Sequence, residues 1–162
     1  MITEESNDIK VVLYTMCLVK YNDKVLLVNR PNKLGFPGWI GPGGKIDFPE
    51  SLTEGAIREV WEETGLRITD LVYKGIDEYV DPKQNFRYMV FNYLATSFEG
   101  ELLKNPPEGE LKWVAINEAL NYPMQSWFKR RFPLFFEAGT FEIYEIYDQD
   151  EKITIKESVK RI

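Results

Sequence analysis

The apolar positions change period several times along the chain, and each change marks an element. Val11 to Val19 and Lys24 to Val28 are dense in aliphatic and β-branched residues and read as two strands, joined by the turn Tyr21-Asn22-Asp23. From Arg30 to Gly44 the pattern lapses into a Pro- and Gly-rich loop, suited to bringing backbone close to something else. Ser51 with Glu54 three residues on forms a capping box and Gly65 a C-terminal stop, so a helix is predicted between them. Leu71 to Val80 and Phe86 to Phe98 return to strand character around a polar loop. After a second loop, Leu111 to Ile116 predicts a short strand and Asn117 to Leu120 a helical turn. Gln125 to Ala138 predicts a helix running through Phe132-Pro133, and Phe141 to Tyr147 with Lys152 to Lys156 a closing hairpin. Strands outweigh two principal helices, which gives an α+β class with residues 1–162 in one domain.

Composition narrows the chemistry. The 162 residues are 44% hydrophobic and 14% aromatic, enough to fill a core without staples. A net charge of −6 argues against duplex nucleic acid as a partner, because phosphate backbones are held by clustered Lys and Arg. A free nucleotide stays open, since its phosphates can be bound through metal ions. Cys17 is the single cysteine, in an apolar stretch, which points to a buried structural thiol, no intrachain disulfide and a reducing, cytoplasmic location. The absence of histidine removes His-based triads, the common zinc sites and imidazole acid–base catalysis. The acidic start is no signal peptide, and the longest apolar run is too short to span a bilayer, so no membrane partner is expected.

The informative segment is Gly44 to Leu66. At about 100° per helical residue, Glu59, Glu62 and Glu63 project within roughly one 100° sector, while Thr53, Ile57, Val60 and Thr64 lie on another side that can face the core. Three carboxylates on one face repel one another. A hard divalent cation, which takes oxygen ligands, turns that repulsion into coordination.

The same segment resembles the Nudix family signature: Gly, five residues, Glu, seven residues, Arg-Glu, aliphatic, any residue, Glu-Glu, any residue, Gly, aliphatic. Gly44, Glu50, Arg58, Glu59, Val60, Glu62, Glu63, Gly65 and Leu66 match it without a gap. The resemblance implies an α/β/α sandwich, with a mixed sheet between helices. It implies that Glu59, Glu62 and Glu63 coordinate Mg²⁺ or Mn²⁺, that the Gly43 carbonyl completes the shell, and that Arg58 pairs with Glu50 to fix the loop on the helix. Glu59 is the implied base on the attacking water. Glu108 stands where relatives recruit a further carboxylate, with Glu110 the competing choice.

Water attack on a phosphoanhydride then needs no covalent protein group. The expected reaction converts a nucleoside triphosphate to the monophosphate and pyrophosphate, with Arg30 and Lys45 as candidates for the outer phosphates. Trp39, Trp127 and Phe128 are candidates to stack on the base. The loop around Trp39 resembles that of MutT-type 8-oxo-dGTP diphosphatases, although Ile40 stands where animal members place Asn, and no acidic pair lies near Met124 to Phe128. Pro82, beyond the box, suits the alternative of an ADP-ribose or nucleotide-sugar pyrophosphatase. A nucleotide sensor without catalysis is a third possibility, set against by the complete set of box carboxylates. The expected assembly is a monomer or homodimer.

Overall fold

The computed structural model describes residues 8–162. Its strands are β1 (Lys10–Tyr21), β2 (Lys24–Arg30), β3 (Gly38–Ile40), β4 (Gly43–Lys45), β5 (Arg67–Ile68), β6 (Leu71–Asp81), β7 (Phe86–Ala95), β8 (Phe98–Glu99), β9 (Glu110–Ala115), β10 (Phe141–Asp148) and β11 (Ile153–Arg161). The helices are α1 (Leu52–Thr64) and α2 (Ser126–Arg131).

One mixed sheet runs β11-β10-β6-β7-β1-β2-β3, with β4 also paired to β1 and β9 to β2. β1 is parallel to β7, and β6 to β10, while the remaining pairs in this sheet are antiparallel. Alternation along β1 sorts the core into two layers. Met16 and Leu18 join Val90, Phe128, Phe132 and Phe135 on one face. Cys17 and Val19 join Ala56 and Val60 of α1 on the other. The two helices therefore cover opposite faces, and the expected α+β sandwich is present. Cys17 is fully buried, and burial pushes its thiol up to about 12, which leaves it unreactive.

Three sequence expectations need correction. The helix from Gln125 to Ala138 is α2 followed by a 3-10 segment, Phe132–Phe136, with Pro133 in its first turn. Proline supplies no N–H to the α ladder and crowds the preceding turn, so the regular helix stops before it. The loop from Arg30 to Gly44 holds the short strands β3 and β4, because β2 and β1 offer it open edges. The strand from Phe86 to Phe98 ends at Ala95, and Phe98 instead pairs with Ile68 in a separate two-stranded sheet, β5-β8.

Candidate active site

The start of α1 is set locally. Ser51 Oγ accepts from the Glu54 N–H at 3.1 Å, and the Glu54 carboxylate accepts from the Ser51 N–H at 2.9 Å. Gly65 ends the helix at φ 85°, its N–H donating to the Trp61 carbonyl at 2.9 Å. Between these caps the buried stripe runs through Ala56, Val60 and Thr64 at four-residue spacing. Thr53, expected to face the core, is exposed in the first turn beside the capping box, and Ile57 is half-buried.

Arg58 is the hub of the polar face. Its Nη2 donates to Glu50 Oε1 at 2.6 Å and to the Lys45 carbonyl at 3.0 Å, and its Nε reaches Glu50 Oε2 at 3.0 Å. Its Nη1 donates to Glu59 at 2.9 Å and to Glu62 at 3.2 Å. Arg58 beside Glu50, with the Asp47 N–H, lowers the Glu50 carboxyl to about 2. The loop preceding α1 is thereby fastened to the helix.

The three box glutamates differ in setting. Glu63 is 8% exposed and accepts from the Gly43 N–H at 3.2 Å; burial first, then the charge of Glu59, pushes its carboxyl up to about 8. Glu59 is partly buried, and burial raises it despite Arg58. The Glu62 side chain is half exposed. Strand β4 passes close above them, with Gly43 paired to Met16 and Gly44 to Thr15. A side chain at Gly44 would overlap the Glu59 carboxyl, and one at Gly43 would overlap the Thr15 carbonyl. Glycine is needed at both places, for different reasons.

Among the described residues no three acidic side chains are gathered tightly enough to hold an ion as they stand, because Glu59 and Glu62 turn to Arg58 and Glu63 to Gly43. The donor chemistry nevertheless fits a hard divalent cation: neighbouring carboxylates, two of them raised chiefly by burial.

The remaining candidates divide. Glu108 and Arg30 both act on the Glu63 titration, Glu108 raising and Arg30 lowering it, which places them in its neighbourhood. Arg30 Nη2 donates to the Leu34 carbonyl at 2.9 Å, and its buried Nε has no partner among the described residues. Glu110 instead opens β9, opposite Asn29. The Lys45 side chain is exposed, and its backbone carbonyl engages Arg58. Phe128 is fully buried and Trp39 only 8% exposed, edge-on to Tyr122 at 5.5 Å. Both belong to the core, which corrects the expectation that they stack on a base. Trp127 stays half-buried, 6.2 Å from the exposed Phe36 ring.

Sequence reasoning missed a buried polar group on the opposite sheet face: Arg131 with Asp77 and Asn92. The paired arginines on an aromatic-rich helix were the available signal. No helix among the described residues is long and apolar enough to cross a membrane.

The NUDIX domain model matches residues 12–135. An uncharacterized Nudix hydrolase of Bacillus subtilis, YvcI, is 34% identical over 113 residues, which are 68% of this chain and 70% of that protein. The mouse oxidized purine nucleoside triphosphate hydrolase is 41% identical over 59 residues, 36% of this chain and 38% of that protein. The crystal structure of a MutT protein from Bacillus halodurans superposes with a TM-score of 0.80 at 33% identity, covering 92% of this chain and 97% of that one. With the domain model spanning most of the chain and a MutT structure matching nearly all of it, the protein belongs to the Nudix hydrolase family, whose members act on pyrophosphate bonds of nucleotide-like substrates with divalent metal ions.

Proposed function

We propose that this chain hydrolyses a nucleoside triphosphate, oxidised purine forms included, to the monophosphate and pyrophosphate, using Mg²⁺ or Mn²⁺. The observation that carries the proposal is the placement of Glu59 and Glu63 beneath the glycine strand, Gly44 against the Glu59 carboxyl and the Gly43 N–H on Glu63, beside an accessible Glu62. Glu59, Glu62, Glu63, the Gly43 carbonyl and Glu108 would hold the ions. Bound there, a divalent ion lowers the pKa of water and neutralises charge developing on the phosphate oxygens.

The protein's own groups do the rest. Arg58 must release Glu62 while keeping Glu50, so that the loop stays in place as the carboxylates change partners. Glu59 takes the proton of the attacking water, a task helped by burial that makes its carboxylate more basic. Arg30, with an unsatisfied Nε near Glu63, holds the outer phosphates. The likeness to the mouse oxidized purine nucleoside triphosphate hydrolase supports the triphosphate as substrate.

The test is a product assay with Mg²⁺ across dGTP, 8-oxo-dGTP, other triphosphates, ADP-ribose and a capped dinucleotide. Pyrophosphate with a nucleoside monophosphate is expected from triphosphates, lost with EDTA and in Glu63→Gln. Turnover of ADP-ribose or the capped dinucleotide alone would reassign the substrate, and wild-type turnover in Glu63→Gln would remove that ligand.

A further inference from the structure

On the sheet face opposite α1, α2 carries Arg131 down onto β6 and β7. Its side chain is only 3% exposed. Nε donates to Asp77 Oδ2 at 2.9 Å, and Nη1 to Asn92 Oδ1 at 3.3 Å and Met16 Sδ at 3.4 Å. Asn92 is itself oriented, since its amide nitrogen donates to the carbonyls of Gly75 and Val90. Nη2 of Arg131 donates to no protein acceptor among the described residues. Nη2 is not wholly buried, so it is open to an acceptor that a ligand supplies.

The surroundings are flat and aromatic. The Trp127 ring lies against the guanidinium at 5.4 Å. Tyr79, two residues along β6 from Asp77 and so on the same face, stacks on Tyr88 at 5.3 Å, and Tyr88 meets Tyr14 at 4.9 Å. All four rings are half-buried. The group also connects to the glutamates: Met16, which accepts from Arg131, pairs with Gly43, and the Gly43 N–H holds Glu63.

Given a nucleotide substrate, as proposed above, we infer that Arg131 is a specificity-determining residue that donates to the O6 and N7 edge of a guanine- or hypoxanthine-type base. Arginine only donates. An unoxidised 6-oxopurine presents two adjacent acceptors on that edge; an 8-oxo form keeps O6 but carries hydrogen on N7, and adenine presents an amino donor beside N7. Adenine would set donor against donor where Asp77 and Asn92 hold the guanidinium in place.

Monophosphates separate this inference from the hydrolase proposal, because their binding requires no turnover. Calorimetric titration of the wild-type chain with GMP, IMP and AMP should find GMP and IMP within about threefold of each other, and at least about tenfold tighter than AMP. In the double variant Arg131→Gln with Asp77→Asn, which removes both charges and leaves no orphan carboxylate, the preference should fall below about twofold. AMP binding as tightly as GMP in the wild type, no binding of any of the three, or a preference surviving in the folded double variant overturns the inference. Should the double variant not fold, the wild-type comparison with 7-deaza-GMP decides: equal affinity with GMP overturns it, and weaker binding supports it. Purine preference without any triphosphate turnover would instead refute the hydrolase proposal and leave Arg131's role intact.

Discussion

Replacing Gly44 with alanine isolates the contact between the glycine strand and Glu59. Gly44 needs no left-handed backbone, so alanine introduces no strain of its own. The added Cβ would stand 2.5 and 2.6 Å from the two Glu59 carboxylate oxygens, where ordinary contact begins at 3.4 Å. The carboxyl therefore retreats by about 1 Å, a displacement that can cost roughly 10²-fold in rate when it falls on a reacting group. Because the moving atoms are the end of a flexible side chain, stability should change by less than about 1 kcal/mol, or roughly 2–4 °C in Tm. Gly43→Ala is the contrasting control. Its Cβ would lie 2.9 Å from Met16 Cα and overlap the Thr15 carbonyl, and backbone cannot withdraw without opening the β1–β4 pairing. That variant should lose stability by about 1–3 kcal/mol or more. Pyrophosphate release under Mg²⁺ and thermal unfolding by circular dichroism, measured on both proteins, give the comparison. A Gly44→Ala protein with kcat within threefold of wild type would show that Glu59 has no positional role in the chemistry.

Arg58→Ala should lower both Tm and kcat. Losing its charged hydrogen bonds, discounted because the side chain is 25% exposed, is worth about 2 kcal/mol, or roughly 4–8 °C; no change in either quantity would deny it an orienting part. Glu63, raised to about 8, holds a proton below that pH, and the proton competes with a cation. Mg²⁺ affinity should therefore climb as pH rises from 6 towards 8 and level off above, measured by calorimetry in buffers of different ionisation enthalpy; a flat profile would remove Glu63 from the ligand set. In the metal-free protein the same shift runs the other way for the fold: protonated Glu63 favours it, and its contribution fades as pH rises through about 8. Phe128→Ala should cost roughly 3–5 kcal/mol in stability, since the ring is fully buried, and should leave relative nucleotide preference unchanged. A changed preference at unchanged Tm would return Phe128 to the substrate site.

Local signals carried most of the fold. Ser51, Glu54 and Gly65 delimit α1 from sequence because a cap is a contact among neighbours, and the capping box and left-handed glycine are both present. The long strands β1, β2, β6 and β7 were legible for the same reason: alternation and β-branched density do not depend on the partner strand. What failed is what depends on partners far along the chain. β3 and β4 are strands only because β2 and β1 lie beside them, and nothing in Gly38–Ile40 or Gly43–Lys45 announces a strand. Trp39 and Phe128 are apolar wherever they fall; burial in the layer under α2, not their type, decides that they pack the core.

The candidate site divides along the same physical line. Its glutamates sit on one helix, so spacing alone brought them together, yet spacing treats Glu59, Glu62 and Glu63 as equals. Their differing burial comes from β4, which lies over Glu59 and Glu63 and leaves Glu62 half exposed. Adjacent glycines that look alike in sequence answer different demands, Gly44 giving way to a carboxylate and Gly43 to the backbone of β1. Arg131 and Asp77 lie 54 residues apart in the chain, and no periodicity links them. Only the helix laid across the sheet turns Arg131 inward onto the buried Asp77 and leaves Arg130 partly exposed, reaching the same Asp77 at 3.8 Å as well as Glu145 and Glu157. Residues of one element are brought together by spacing alone; residues joined across layers are brought together only by the packing.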